Sequence, residues 1–118
     1  MTGRINKLAL MTTFCLSFFV GNACAEPRMS QFAKMKTVES FKFYLEGVGS
    51  GFSWYNVFIV QKGGEPIFCE PENMSLNHLN YINLIEHYSK TFPKLSSDDM
   101  PVNMILLYAL VEAFPCKK

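Results

Sequence analysis

Apolar residues recur at intervals of three and four along three stretches of the chain, the spacing that places side chains on one face of a helix. In the first stretch these positions are Val38, Phe41, Tyr44, Leu45, Val48 and Phe52. Thr37 stands just before them and is predicted to cap the helix. The helix can continue to about Val60, although residues 55–60 are aromatic and branched enough to form a strand instead. We predict one long helix here.

A break and a second amphipathic stretch follow. The break contains Lys62, Gly63, Gly64 and Pro66. Residues 67–73 then form an irregular connection that carries Cys69. Ser75 is the predicted N-cap of the second helix. Its apolar stripe comprises Leu76, Leu79, Ile82, Ile85 and Tyr88. The helix is expected to end at Phe92, so residues 94–99 form a polar, exposed loop.

The third stretch is the most apolar. Asp98 and Asp99 precede Pro101, an order that suits a helix start because carboxylates favour the positive end of the helix dipole. The apolar face comprises Val102, Ile105, Leu106, Ala109, Leu110 and Ala113, broadened by Met104, Leu107, Tyr108 and Val111. A helix this apolar is buried in a core or against another subunit. The three stretches predict an all-α fold, a small bundle of three to four helices.

The start of the chain has the pattern of an export signal. Arg4 and Lys7 precede an apolar run of about 13 residues, shorter than the roughly 20 that a membrane span needs. Small residues at positions 23 and 25 form a cleavage pattern. We predict that residues 1–25 are a signal peptide for export to the periplasm and that residues 26–118 are one domain. Lipidation of Cys24 is the alternative, but a glycine stands where a lipidation signal has a leucine-like residue.

Charge and cysteine content narrow the function classes. Two of the eleven basic residues lie in the signal, so nine remain against ten acidic residues, without a basic stripe. We therefore expect no nucleic-acid partner and no membrane binding after signal cleavage. Cys69 and Cys116 are the cysteines of the predicted domain, and an oxidising compartment favours pairing them. Two free thiols or an intermolecular pair remain the alternatives.

No arrangement of residues predicts catalysis, a metal site or a cofactor. His78 and His87 are nine positions apart on one helix, which places them on opposite faces and prevents them from sharing a metal ion. A thiol nucleophile needs a free cysteine beside an imidazole, and both cysteines are better used in a bridge. The glycines at 47, 49 and 51 lack the spacing and the preceding strand of a phosphate-binding loop. They more plausibly let another helix approach, with Gly47 and Gly51 on one face, or else they divide two shorter helices.

Two exposed segments are candidate partner-binding sites. The loop at residues 94–99 presents Lys94, Ser96, Ser97, Asp98 and Asp99. A polar loop held between two rigid helices can enter the cleft of an enzyme. Glu70 and Glu72 flank a proline beside Cys69 and form the second segment. Helix caps, for the aspartates, and solvated surface charge, for the glutamates, are the competing interpretations. The aromatic residues Phe52, Trp54, Tyr55 and Phe58 are expected in the core, or in part at a dimer interface.

Four short motifs resemble the Rap1a/Tai family of immunity proteins in their order and spacing. They are Tyr44-Leu45-x-Gly47-Val48, Ile67-Phe68-Cys69-x-Pro71, Ser75-Leu76 and Ala109-Leu110-x-x-Ala113-Phe114-Pro115-Cys116. The last motif is the most specific. The resemblance implies an all-helical, often homodimeric periplasmic protein that binds and neutralises a peptidoglycan amidase delivered by the type VI secretion system of sibling cells.

One position departs from the family pattern. Many relatives have a further cysteine about three residues before the tyrosine, and Phe41 stands there in this chain. The resemblance therefore leaves Cys69 and Cys116 as the intramolecular pair that clamps the bundle, and it does not identify the cognate toxin. A generic periplasmic binding or chaperone-like module is the alternative function, and an enzyme is the least supported class.

Overall fold

The computed structural model describes residues 26–117, which form four α-helices and a short 3-10 helix. Helix α1 spans Met29–Met35, α2 spans Glu39–Gln61, α3 spans His78–Thr91, the 3-10 helix spans Pro93–Leu95 and α4 spans Val102–Ala113. Apart from one isolated bridge between Arg28 and Pro101, these residues contain no β structure. The predicted all-α bundle is confirmed, whereas the predicted signal peptide lies outside the described residues.

Helix α1 was not anticipated from the sequence. It has seven residues and buries one side chain, that of Phe32, so it carries too little apolar periodicity to be recognised. Its position is fixed by backbone hydrogen bonds to another segment, because the chain just before α1 runs antiparallel to the chain just before α4. The amide of Val102 donates to the carbonyl of Pro27, and the amide of Met29 donates to the carbonyl of Met100.

Helix α2 is continuous through all three glycines, so the strand predicted as an alternative is wrong. The helix begins at Glu39 after an N-cap, Val38, whose side chain forms no capping hydrogen bond. The predicted cap, Thr37, instead donates to the carbonyl of Lys34 at 3.2 Å, which closes the turn after α1. The cap failed as a prediction because an unseen helix ends immediately before Thr37.

The second half of α2 extends beyond the core. Its buried residues are Phe41, Leu45 and Gly49, all in the first half. Beyond them the side chain of Asn56 donates to the carbonyl of Phe68 at 2.8 Å and accepts from the amide of Ile67 at 2.9 Å. These bonds hold the irregular connection against α2, which allows Phe68 to be buried.

Helix α3 begins later than predicted. Asn77, not Ser75, is the N-cap, and its side-chain oxygen accepts from the amides of Leu79 and Asn80 at 2.9 and 3.2 Å. The side-chain oxygen of Asn80 in turn accepts a hydrogen bond from the backbone amide of Asn77, which completes a reciprocal capping arrangement. The shift places Leu76 ahead of the helix and leaves Leu79, predicted to be in the apolar stripe, 58% exposed.

Helix α4 is the centre of the bundle. It starts after Pro101 without a side-chain cap, so the predicted capping by Asp98 or Asp99 is wrong. Its core-facing residues pack with those of the other helices. The buried core consists of Phe32, Phe41, Leu45, Phe68, Tyr81, Ile82, Ile85, Tyr88, Val102, Ile105, Leu106, Ala109 and Leu110. Met104, Tyr108 and Val111 were predicted to widen the buried face but are exposed, so the buried surface of α4 is narrower than predicted.

A disulfide joins the connection after α2 to the chain after α4. Cys69 and Cys116 are bonded, with their Cα atoms 4.9 Å apart and a sequence separation of 47 positions. The amide of Cys69 also donates to the carbonyl of Phe114 at 2.8 Å, so the bridge continues a backbone contact. Closing a loop of this length stabilises the folded chain by about 4 kcal/mol in the chain-entropy account. The predicted clamp is confirmed.

Candidate functional site

The loop at residues 94–99 is held through its backbone. The carbonyl of Asp98 accepts from the amide of Ser30 at 3.1 Å, and the carbonyl of Asp99 accepts from the guanidinium of Arg28. Within the loop the amide of Met100 donates to the carbonyl of Ser97 at 2.9 Å. Lys94 and Leu95, predicted to be loop, belong to the 3-10 helix, and the rest of the segment leads to α4. The backbone at residues 98–99 is therefore fixed by Arg28 and by Ser30 in the first turn of α1.

The side chains of the same loop are free to meet a partner. Asp98 and Asp99 are exposed, and no hydrogen bond among residues 26–117 uses either carboxylate. Lys94 and Ser97 are exposed as well. Ser96 differs, because its hydroxyl is buried and has no hydrogen-bond partner within the described part of the chain. The backbone of this loop is therefore hydrogen-bonded to the rest of the fold, while the carboxylates of Asp98 and Asp99 face solvent.

The second acidic segment, at residues 70–72, is partly committed to the fold. The carboxylate of Glu70 accepts from the hydroxyl of Ser53 on α2 at 2.9 Å, and its side chain is half-buried. Glu72 lies in an exposed turn that the amide of Met74 closes by donating to the carbonyl of Pro71 at 3.0 Å. Glu70 therefore has a structural role, and Glu72 is the freer of the two glutamates.

The two acidic segments are not brought together. The 94–99 loop precedes α4, while the disulfide ties the 70–72 segment to the chain just after α4. A helix of 12 residues is about 18 Å long. A partner that binds one segment therefore contacts the other only if it spans the length of the bundle. The two segments are separate candidate sites.

An acid–imidazole pair joins α2 to the start of α3. Nδ1 of His78 lies 2.7 Å from Oε1 of Glu46, and the backbone amide of His78 donates to the same oxygen at 3.4 Å. These two hydrogen bonds lower the pKa of Glu46, the side-chain bond being the larger cause. His87 is exposed on the same helix. Sequence reasoning missed this pair because the partner of His78 is 32 residues away.

The aromatic residues predicted for the core form instead an exposed surface on α2. Trp54, Tyr55 and Phe58 are exposed, as is Phe43 in the first half of the helix, whereas Phe52 is partly buried against the core. Helical periodicity places Phe43, Gly47, Trp54 and Phe58 along one side of the helix. We call these four residues the aromatic face of α2. Added Cβ atoms at Gly47 and Gly51 would meet nothing within 4 Å, so no part of the described chain covers this face.

Other chemistries find no support in residues 26–117. No group of three histidine, cysteine or acidic side chains in this range is arranged to hold a metal ion. No helix in this range is long and apolar enough to cross a membrane. Comparison with known proteins finds no family model, no curated protein and no solved structure that matches this chain. A function therefore has to be argued from the chain's own residues and from the motif resemblance.

Proposed function

We propose that this chain is a periplasmic immunity protein that binds and inhibits a peptidoglycan amidase delivered by type VI secretion. The observation that carries the proposal is the set of four motifs whose order and spacing resemble the Rap1a/Tai family. The resemblance is consistent with the fold, because an all-helical, disulfide-clamped domain is what the family pattern implies. Export to the periplasm belongs to the same proposal and rests on the signal pattern of residues 1–25.

The motif residues have structural roles that support their use as a family signature. Leu45 of the first motif and Phe68 of the second are fully buried in the core. Cys69 and Cys116 close the disulfide, and the carbonyl of Phe114 accepts from the amide of Cys69. The motifs therefore specify the scaffold, while the residues that contact a toxin are expected outside them.

The 94–99 loop is the better candidate for the inhibitory element. Its backbone is fixed by the segment before α1, so little ordering entropy is lost when the loop binds. The exposed carboxylates of Asp98 and Asp99 suit a cleft with hydrogen-bond donors, such as one built around a catalytic cysteine and histidine. We propose that these carboxylates enter the amidase active site and block substrate.

A double substitution tests this loop. Asp98→Asn with Asp99→Asn keeps the side-chain shape and removes both charges, and the backbone bonds that hold the loop do not depend on either carboxylate. Truncating a desolvated, hydrogen-bonded charge at an interface costs about 2 to 5 kcal/mol, so binding is expected to weaken about 30-fold or more. The measurement is calorimetric titration against the small exported hydrolase that the immunity function predicts to be encoded beside this protein's gene, together with protection of cells that produce that hydrolase in the periplasm.

The control removes two charges elsewhere. Glu65→Gln with Glu112→Gln removes the same number of negative charges from two exposed positions outside the loop. This variant is expected to bind the hydrolase with unchanged affinity. Equal protection by wild type and the aspartate double variant would exclude the loop as the inhibitory element. Glu72→Gln would then be tested at the 70–72 segment. A wild-type protein that does not bind the hydrolase at all would refute the immunity function itself.

A homodimer is part of the proposal, because the resemblance implies one and the aromatic face of α2 leaves apolar surface uncovered. The same exposed surface favours the second candidate function, a periplasmic binding or chaperone-like module. That function predicts weak binding to several unfolded clients and no toxin gene beside this one. Suppression of aggregation of several unrelated denatured proteins, without tight binding to the neighbouring hydrolase, would favour it over the immunity function.

A further inference from the structure

We infer that the aromatic face of α2 is the docking site for a second copy of this chain, with the two α2 helices antiparallel and the two-fold axis between Ser50 and Gly51. This inference specifies the interface of the homodimer proposed above and does not depend on toxin binding. It follows from the distribution of large and small residues along the face, from the exposed area and from the helix ends.

Large and small residues alternate symmetrically about the proposed axis. Gly47 and Trp54 lie equally far from the point between Ser50 and Gly51, on opposite sides of it, and so do Phe43 and Phe58. An antiparallel partner therefore brings Trp54 of one copy over Gly47 of the other, and the same contact forms a second time by symmetry. No atom outside the helix lies within 4 Å of a Cβ built at Gly47, so the notch is open to the indole ring.

A parallel pair does not use the same features. It would place Gly47 against Gly47 and Trp54 against Trp54, which leaves a gap at one level and crowds two indole rings at the other. At the antiparallel crossing point the residues are Ser50 and Gly51, which are small enough for close approach of two helices. A different protein would need no such symmetry in this face. The pattern therefore favours a second copy as the occupant.

The aromatic face of α2 exposes about half of the area that a standard dimer interface needs. Phe43 is 66% exposed, Trp54 70% and Phe58 55%. With roughly 200 Å² for each complete side chain, these three residues offer on the order of 400 Å² per copy. A stable interface of standard size buries about 800 Å² per partner, and the neighbouring residues Val57 and Gln61 can add to the aromatic share.

The ends of α2 also favour the antiparallel direction. Antiparallel packing sets the start of one α2 helix at the level of the end of the other and so aligns opposite ends of the two helix dipoles. A parallel pair would set like dipole ends at the same level.

Cysteine crosslinking tests the geometry. Ser50→Cys should crosslink rapidly between copies under mild oxidation, because each position 50 lies next to its own symmetry mate. Phe43→Cys should not, since its two copies are separated by about 22 Å along the helix axis. His87→Cys, exposed on α3, is the background control. Rapid crosslinking of Phe43→Cys as well as Ser50→Cys would indicate parallel helices and overturn the inference.

Affinity variants test the contact itself. Trp54→Ala and Gly47→Leu should each weaken the dimer about 30-fold or more in analytical ultracentrifugation, the former by removing the central aromatic side chain and the latter by filling its notch. Leu79→Ala, an equally exposed apolar residue on α3, should leave the dimer constant unchanged. A wild-type dimer that tolerates both α2 variants would overturn this interface but keep the homodimer. A wild-type protein that stays monomeric at high micromolar concentration would refute both.

Discussion

Gly49, the middle glycine of α2, is the one that the fold requires. It is buried, and a Cβ atom at this position would lie 2.5 Å from Cε2 of Tyr81 and closer still to Cζ and Oη. Tyr81 is itself a core residue of α3, so its ring has little room to move. Gly49→Ala must therefore separate α2 from α3 or displace the tyrosine. Overpacking of this kind costs about 1 to 3 kcal/mol even after ordinary relaxation.

The helix propensity of alanine opposes this cost and sets the size of the net effect. Alanine favours a helix interior by about 1 kcal/mol over glycine, so without the Tyr81 contact Gly49→Ala would be stabilising. Because the new Cβ would overlap three atoms of a buried ring, we take the upper part of the overpacking range, about 2 to 3 kcal/mol, and expect a net loss of about 1 to 2 kcal/mol. This corresponds to roughly 4 to 16 °C in Tm for a domain of this size. Urea unfolding followed by circular dichroism at one fixed protein concentration measures it.

A double-mutant cycle identifies the contact as the cause. Tyr81→Leu removes Cζ, Oη and Cε2, the three atoms that the new Cβ would meet. In that background Gly49→Ala is expected to be neutral or stabilising, which gives a coupling free energy of about 1 to 3 kcal/mol between the two positions. The reasoning is refuted if Gly49→Ala destabilises the Tyr81→Leu protein as much as it destabilises the wild type.

Two further predictions concern α3 and its contact with α2. Asn77→Ala should cost about 1 kcal/mol in the free energy of unfolding because it removes the cap of α3, while Ser75→Ala, two residues earlier, should change it by a few tenths at most; equal effects in urea titrations would contradict the observed cap. The hydrogen bonds to His78 lower the pKa of Glu46, so they stabilise the folded protein fully at a pH above the ordinary glutamate pKa. This stabilisation is lost as the pH falls through the lowered pKa of the folded state. Glu46→Gln should therefore flatten the acid limb of unfolding midpoints measured between pH 6 and pH 2.5, and an unchanged limb would exclude this role.

The predictable part of the fold is the part that depends on local periodicity. The spacing of Leu45 and Ile85 in their apolar stripes reflects burial on one helix face, and both are fully buried. Caps were less predictable because they depend on where a neighbouring element ends. Thr37 was displaced by a short preceding helix, and Asn77 was passed over because an earlier serine is equally suited to the role. The helix from Met29 to Met35 has only two turns, so its apolar residues form too short a run to reveal it.

Burial of the aromatic residues was the larger error, and its cause is geometric. Leu45, in the buried stripe of α2, and Trp54 are nine positions apart, which places them on opposite faces of the helix. Phe43 lies on the same side as Trp54 and is exposed, although it belongs to the half of α2 that packs on the core. These aromatic residues were assigned to the core for their hydrophobicity, but helical periodicity turns Trp54 and Phe58 away from it.

The candidate site shows the complementary limit. The composition of residues 94–99 predicts an exposed polar loop. It does not predict which atoms of the loop are left without a hydrogen bond, because that depends on contacts with Arg28 and Ser30. The carbonyls of Asp98 and Asp99 are engaged by Ser30 and Arg28, which lie about 70 residues earlier in the chain, and this leaves the carboxylates uncommitted. The same contacts remove the ambiguity that a capping role would have introduced, since charge can be removed from the loop without removing a bond that folds it. Loss of toxin binding in the aspartate variant would therefore report on recognition and not on stability.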